Sequence, residues 1–343
     1  MAESKFGVDP TGTEEALIER MTEPSRAVVE AVSQIDGEMM ILGIAGKMGL
    51  TLGELLVRAG AKGVIGVSRF SNPADRDILE RKGIRTVKCD LIDDEGLRRL
   101  PEAGHIVLMA GHKFGATGNE PLTWAMNTLL PAKVMQRFPE SRIVYVSSGN
   151  VYCFKHVKAG GAVESDPVEP IGEYAQSRLG GERLVQFYSS QNGTPVVIVR
   201  LFYATELRYG IILDIAQRIW NREPVDLTMG YANQIWQGDA NAYLARCFPL
   251  CESPARMLNL TGPETLSVRE LAIQLGGLMG VEPVFEGEEE DTALLGNAGA
   301  LFDLLGPPKV TAAEIVEWVA AWVMRGGPTL GKPTRYEARD GKF

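Results

Sequence analysis

Met39-Met40-Ile41-Leu42-Gly43-Ile44-Ala45-Gly46-Lys47-Met48-Gly49 is an apolar run of strand length that breaks into three glycines, each three residues from the last. A helix-period segment, Thr51–Arg58, follows directly. Strand, glycine turn and helix in that order form the first half of a βαβ unit. Each glycine has a mechanical task there. Gly43 permits the tight turn, Gly46 lets backbone approach a pyrophosphate, and Gly49 lets the helix pack close on the strand. The helix entrance, with Lys47 and Met48, would present backbone N–H groups and a positive dipole to the phosphates. The stretch predicts a dinucleotide site on a parallel sheet.

Outward from this turn the pattern repeats. Apolar runs at 64–67, 86–89, 106–110, 143–147 and 195–202 alternate with helix-period segments at 74–82, 93–100, 121–138 and 172–190. Six continuous apolar strands separated by helices predict an α/β fold with a Rossmann-type doubly wound parallel sheet covered on both faces. Beyond residue 203 the alternation loosens into helices at 211–220, 239–247, 268–279 and 311–324, with strand-like runs at 225–227 and 284–286. The expected organisation is an N-terminal helical appendage (1–37), a dinucleotide-binding domain (38–203), a smaller substrate lobe (204–325) and a surface tail (326–343). In the appendage Leu17 and Met21 form one stripe, and Val28, Val32 and Ile35 another. Such stripes need a covering surface, either the edge of the sheet domain or a partner subunit, so a homodimer is one arrangement that would supply it.

The 343 residues are 45% hydrophobic and 23% charged, which fits a folded globular chain and excludes disorder. Lys plus Arg number 35 against 44 Asp plus Glu, a net charge of −9. That balance provides no electrostatic footprint for a nucleic-acid backbone or an anionic membrane and points to a small-molecule substrate. No apolar run approaches the roughly 18 residues needed to span a bilayer. The opening MAESKFGVDPTGTEEAL has no charged start leading into an apolar stretch, so a cytoplasmic location is expected. Cys89, Cys153, Cys247 and Cys251 form no framework, and with three histidines in the chain no metal site is expected.

The end of the second strand bears on the nucleotide. A carboxylate there would accept from the adenosine ribose of NAD, but the strand ends in Ser68-Arg69. Both side chains suit a 2′-phosphate, which favours NADP over NAD.

The fifth strand leads into Ser148-Gly149-Asn150-Val151-Tyr152, and Tyr174-Ala175-Gln176-Ser177-Arg178-Leu179-Gly180-Gly181-Glu182 follows on a helix. With these segments the chain resembles an extended short-chain dehydrogenase/reductase of the NAD-dependent epimerase/dehydratase family. The resemblance covers about residues 39–325. It includes the glycine turn, Asp90-Leu91 after the third strand, Ala110-Gly111 after the fourth, Asn127, Arg200-Leu201-Phe202, Asp239-Ala240 and Asn259.

The resemblance implies roles residue by residue. Tyr174 would exchange a proton with the substrate hydroxyl, and Ser148 would hydrogen-bond the same oxygen. The family carries a Lys four residues after the Tyr, where it binds the nicotinamide ribose and favours the phenolate. This chain has Arg178, which keeps the charge but is broader, forked and unable to shuttle a proton. Gly43, Gly46, Lys47, Met48, Gly49, Ser68, Arg69, Asp90, Leu91, Ala110, Gly111, Asn127, Tyr174, Arg178 and Phe202 would surround the dinucleotide. The family's nucleotide-sugar enzymes often carry Asn after Arg-x-Phe, whereas this chain has Tyr203. Specificity would then rest on His112, Lys113, Phe114, Tyr203, Arg208, Tyr209, Trp236 or Gln237. The implied chemistry is hydride transfer at a sugar-like or other hydroxylated carbon. The alternative, drawn from Arg178, is a catalytically silent dinucleotide-binding sensor or assembly subunit.

Overall fold

The computed structural model describes residues 9–342 except Phe114 and Pro333. Seven parallel strands form the central sheet: β1 (Met39–Leu42), β2 (Val64–Ser68), β3 (Arg85–Lys88), β4 (His105–Leu108), β5 (Arg142–Ser148), β6 (Val196–Leu201) and β7 (Arg256–Leu260). Their spatial order is β7-β6-β5-β4-β1-β2-β3. The order reverses between β1 and β4, which places a crevice at the carboxyl ends of those strands. β1, β5 and β6 are almost wholly buried because helices cover both faces, which explains the apolar runs Met39–Leu42, Ile143–Val146 and Val196–Val199 within them. β7 is a strand beyond the six expected. Its mixed Arg-Met-Leu-Asn-Leu sequence carries little periodicity, and pairing with β6 from Arg256↔Val197 to Leu260↔Leu201 makes it a strand.

Helix ends follow local chemistry. Thr13, Ser25, Asn72, Asp93 and Ser267 cap their helices by accepting backbone N–H bonds, and Thr311 with Glu314 forms a capping box. The lobe has its own core, in which Ile212, Ile215, Leu271, Leu275, Ile315 and Val319 from helices Ile211–Trp220, Val268–Met279 and Ala312–Met324 pack together.

The N-terminal helices Glu14–Thr22 and Arg26–Ser33 are more than an outer appendage. Leu17 and Met21 are buried in the lobe core beside Trp236, while Val28, Val32 and Ile35 enter the core beneath the sheet. Both stripes are covered within the chain, one by each core. Most of the described tail is exposed or half-buried, and it is anchored at two buried residues, Thr334 and Tyr336. Thr334 bonds Asp214 and Tyr336 is buried, because the Asp214 carboxylate accepts from the backbone and hydroxyl of Thr334 at 2.8 and 2.6 Å. Among the described residues, no helix is long and apolar enough to cross a membrane, and no cluster of His, Cys, Asp or Glu could hold a metal ion.

Candidate functional site

Two adjoining cavities lie along the carboxyl ends of the strands and share Gly43, Gly46, Met109 and Gly111. The outer one, about 340 Å³, is lined by Ser68, Arg69, Asn72, Asp75, Asp90, Leu91 and Ala110. The inner one, about 350 Å³, is lined by Lys47, Met48, Gly49, His112, Lys113, Ser148, Tyr174, Arg178, Phe202, Tyr203, Tyr209 and Lys332. The glycine turn divides them. Gly43 has φ +94°, and a Cβ there would lie 2.7 Å from the Ala110 backbone. A Cβ on Gly49 would lie 2.3 Å from the Ile44 carbonyl oxygen. The turn therefore admits no side chain at 43 or 49, where β1 passes into helix Gly49–Arg58, and Gly43 and Gly46 border both cavities, as a pyrophosphate cradle requires.

Helix Gly172–Asn192 carries the proton-transfer candidates to the inner cavity. Tyr174 lies in its first turn, with Lys113 Nζ 5.7 Å from its ring centre. Ser148 ends β5, where its Oγ accepts from the Asn150 N–H at 3.2 Å and donates to Asn150 Oδ1 at 2.9 Å. Arg178, one turn beyond Tyr174, is buried. Its guanidinium donates to the Val146 carbonyl and, at 3.5 Å, to Asn127 Oδ1, and it lies 5.2 Å from the Tyr145 ring centre. Gly111 makes room for it, since a Cβ there would meet Nη1 at 2.7 Å.

Asn127 is placed differently from the sequence expectation. It is wholly buried behind the cavity wall, on the π-helical turn Ala125–Leu129. Its amide accepts from His112 N–H at 2.8 Å and donates to the His112 carbonyl at 2.9 Å and to Ser177 Oγ at 3.0 Å. It positions the loop after β4. The His112 ring pairs with Thr123 Oγ1 at 3.0 Å, and burial together with the Arg69 charge lowers its pKa.

Other candidates separate into those that reach the cleft and those that do not. Lys47 sends Nζ across to the lobe, donating to the Ala204 carbonyl at 2.6 Å with the Tyr209 ring centre 4.0 Å away. Burial pushes its ammonium down to about 7, and that of Lys113 to about 8. Tyr203 and Phe202 line the inner cavity. Trp236 does not: it is core, packed edge-on against Trp318 at 5.3 Å, because its side chain fills the lobe beneath Met21. Gln237 is buried against Thr51 at 3.1 Å. Arg208 is engaged by Glu206 at 3.1 Å and Glu14 at 2.8 Å, which ties the lobe to the N-terminal helix. Phe114 lies outside the described residues.

Several motif residues serve the frame beneath the cleft. Glu182 and Arg200 form a buried two-pronged pair at 3.1 and 2.7 Å. Ser147 donates to the same carboxylate at 2.6 Å, while Arg200 reaches the Tyr152 hydroxyl, which donates to Asn259 Oδ1 at 2.9 Å. The chain of bonds joins β5, helix Gly172–Asn192, β6 and β7 with its charges matched, as burial demands. Asp239 accepts from the Lys309 and Val310 N–H groups at 3.0 and 2.8 Å, closing a lobe joint. Sequence reading missed Asp75 and Lys332, an acid inside an ordinary helical segment and a base in a Gly- and Pro-rich tail.

Residues 39–205 match the NAD dependent epimerase/dehydratase family. The chain is 27% identical over 182 residues to UDP-glucuronate 4-epimerase 4 of Arabidopsis thaliana, covering 48% of this chain and 41% of that one. It is 25% identical over 183 residues to the Bacillus subtilis protein named an uncharacterized UDP-glucose epimerase, covering 48% and 56%. The chain thus spans about half the length of these curated relatives. The structure is similar, with a TM-score of 0.72 and 20% identity over 84% of this chain and 97% of the other, to dTDP-glucose 4,6-dehydratase of Streptomyces venezuelae, solved with NAD bound. By that match, residues 39–205 form an NAD-dependent epimerase/dehydratase family domain.

Proposed function

We propose that this chain is a nicotinamide-dependent oxidoreductase that transfers hydride at a hydroxylated, sugar-derived carbon. One observation carries the reading: Ser148, Tyr174 and Arg178 share a cavity wall with the glycine turn. The dinucleotide fits the residues present, since Gly43 and Gly49 leave a side-chain-free cradle at a helix N-terminus and the two cavities continue on either side of it. When bound, the nicotinamide supplies a reversible hydride acceptor. Tyr174 takes the proton from the substrate hydroxyl and returns it on reversal. Ser148 turns its hydroxyl from Asn150 toward the same oxygen and fixes it. Arg178 keeps a fixed positive charge one helical turn from the tyrosine. Its burial against Val146 and Asn127 counts against the silent-protein alternative, which drew on this residue.

The printed names of the relatives, which concern sugar nucleotides, support a sugar-derived substrate. Ser68 and Arg69 support NADP over NAD, while Asp75 on the same wall sets a carboxylate against the 2′-phosphate and keeps the preference modest. A homodimer is supported by Leu129 and Phe187, both exposed large apolar residues on neighbouring helices. The test is calorimetric titration of the full chain with NADP and NAD, followed by turnover assays on sugar nucleotides that monitor nicotinamide absorbance. Binding of neither nucleotide would remove the reading.

A further inference from the structure

A third cavity lies away from the cleft, at the joint between the two cores. At about 650 Å³ it exceeds either cleft cavity and shares no lining residue with them. Small-molecule sites span roughly 300–1,000 Å³. Its floor is one face of helix Gln237–Arg246, where Asp239, Ala242, Tyr243 and Arg246 recur at three- and four-residue spacing. The turn Glu23-Pro24-Ser25 between the N-terminal helices makes one wall, and the loop Pro307-Pro308-Lys309-Val310 makes the other.

These walls are fixed in place. The loop is bound to the floor, as the Tyr243 hydroxyl donates to the Gly306 carbonyl at 2.6 Å and Arg246 Nη2 to the Leu305 carbonyl at 2.7 Å. Asp239 Oδ2 accepts from the Lys309 and Val310 N–H groups at 3.0 and 2.8 Å. On the other wall Ser25 caps its helix by accepting from the Val28 N–H at 3.4 Å. Prolines 24, 307 and 308 restrict the backbone further, so neither wall folds inward freely. The cavity is preformed.

Its charges do not cancel. Three cations line it, Arg20, Arg246 and Lys309, against two acids, Glu23 and Asp239. Arg20 pairs with Glu23 at 3.2 Å, and the Lys309 charge acts on Asp239. Arg246 is left over. It spends Nη2 on a neutral carbonyl, and among the described residues no carboxylate pairs with it. Arg20 also keeps a donor in reserve, since its Nε is buried without a partner. Between the charges the lining is apolar, with Met21, Pro24, Ala242, Leu305, Pro307 and Val310. One surplus positive charge in such a recess matches a single negative charge on an apolar body. A sugar nucleotide, polar throughout and multiply charged, suits it poorly.

We propose that this cavity is a second ligand site, which takes a small soluble monoanion, one carboxylate or comparable oxyanion on an apolar body, with Arg246 holding the charge. The site stands independently of the oxidoreductase reading. Its occupant touches the turn that links Met21 of the lobe core to Val28 of the core beneath the sheet, so binding strengthens the joint between them.

The test is fluorescence titration of the NADP-saturated full chain with anilinonaphthalene sulfonate, an aromatic monoanion, and with phenylnaphthylamine, its uncharged counterpart. A single equivalent of the sulfonate should bind, about tenfold or more tightly than the neutral probe, and should raise the thermal midpoint. Arg246→Gln should bring the two affinities to within about twofold of each other. Ala242→Phe, which fills the floor, should abolish the binding of both. Loss of the sulfonate on addition of NADP puts the probe in the cleft and overturns the proposal. Equal affinity of the two probes for the parent chain overturns it, as does undiminished binding in Ala242→Phe. Should Arg246→Gln fail to fold, the probe pair and Ala242→Phe still decide. If NADP fails to bind the parent chain, the oxidoreductase reading fails, and the same probes and variants on the unloaded chain decide this site.

Discussion

Asn127 and His112 exchange two hydrogen bonds, the Asn127 amide accepting from the His112 N–H at 2.8 Å and donating to its carbonyl at 2.9 Å. A side chain thereby imitates a neighbouring strand and fixes the backbone that leads into Lys113. Asn127→Ala should lower unfolding free energy by about 2–4 kcal/mol, because two backbone groups and the Arg178 guanidinium lose a partner. Urea denaturation measures the loss. Dinucleotide affinity should fall with it, since Gly111 borders both cavities.

Tyr174→Phe should reduce turnover at least about a hundredfold while leaving dinucleotide affinity within about twofold, because it removes the proton carrier and little packing. Arg178→Ala should lower both turnover and the thermal midpoint, as it strips the buried Val146 carbonyl of a donor. Arg178→Lys keeps the charge and can satisfy one of the two acceptors, so its turnover should exceed that of the alanine variant. Steady-state rates beside calorimetric affinities separate the three. Wild-type turnover in Tyr174→Phe would place the chemistry elsewhere.

Lys47 should leave a signature in the pH dependence of stability. Its folded pKa is held near 7 by burial, whereas in the unfolded chain the amine keeps its proton to about 10.4. Between these values the unfolded state binds more protons, so stability rises as pH increases. Below pH 7 both states are charged and the full cost of burying the ammonium remains. The rise should reach up to roughly 1 kcal/mol per pH unit between about pH 7 and 8, with Lys113 adding to it from about 8. Buried Cys247 and Cys251, whose thiols burial pushes up, act in the opposite sense at higher pH. The comparison is therefore with Lys47→Met, whose urea midpoint should be higher at pH 7 and flatter up to pH 8. Identical slopes would contradict the assignment.

Nucleotide choice should respond to two residues of opposite sign. Arg69→Ala should weaken NADP on the order of tenfold with little effect on NAD. Asp75→Asn should strengthen NADP by a few-fold, because the repelling carboxylate is gone. Competitive titration of both nucleotides against each variant measures the shift. An unchanged ratio in both variants would show that the 2′ position lies elsewhere.

The sheet was legible because its strands are buried on both faces: Val196–Leu201 needs an apolar residue at nearly every position, and the glycines at 43 and 49 answer to contacts that exclude a side chain. The fourth-strand loop and Tyr174 were legible through the resemblance. β7 was not, since Asn259 spends its side chain on the carbonyls of Ala162 and Asn297 and so interrupts the apolar pattern. Lys332 was hidden for another reason. Its position depends on a tail held by Asp214, a partner 120 residues earlier in the chain. Trp236 and Gln237 misled because a polar or aromatic residue before a helix looks the same whether it faces a cleft or fills a core.

The N-terminal helix pair sets the terms on which the cleft can open. Leu17 and Met21 belong to one core and Val28 and Val32 to the other, with Pro24 and Ser25 between them. A hinge-like swing of the lobe away from the sheet would pull one of these pairs into water, at about 1.5–3 kcal/mol for each large side chain exposed. The short bridge acts as a clasp that makes wide opening costly. Ligand exchange is then favoured through changes smaller than a swing of the whole lobe.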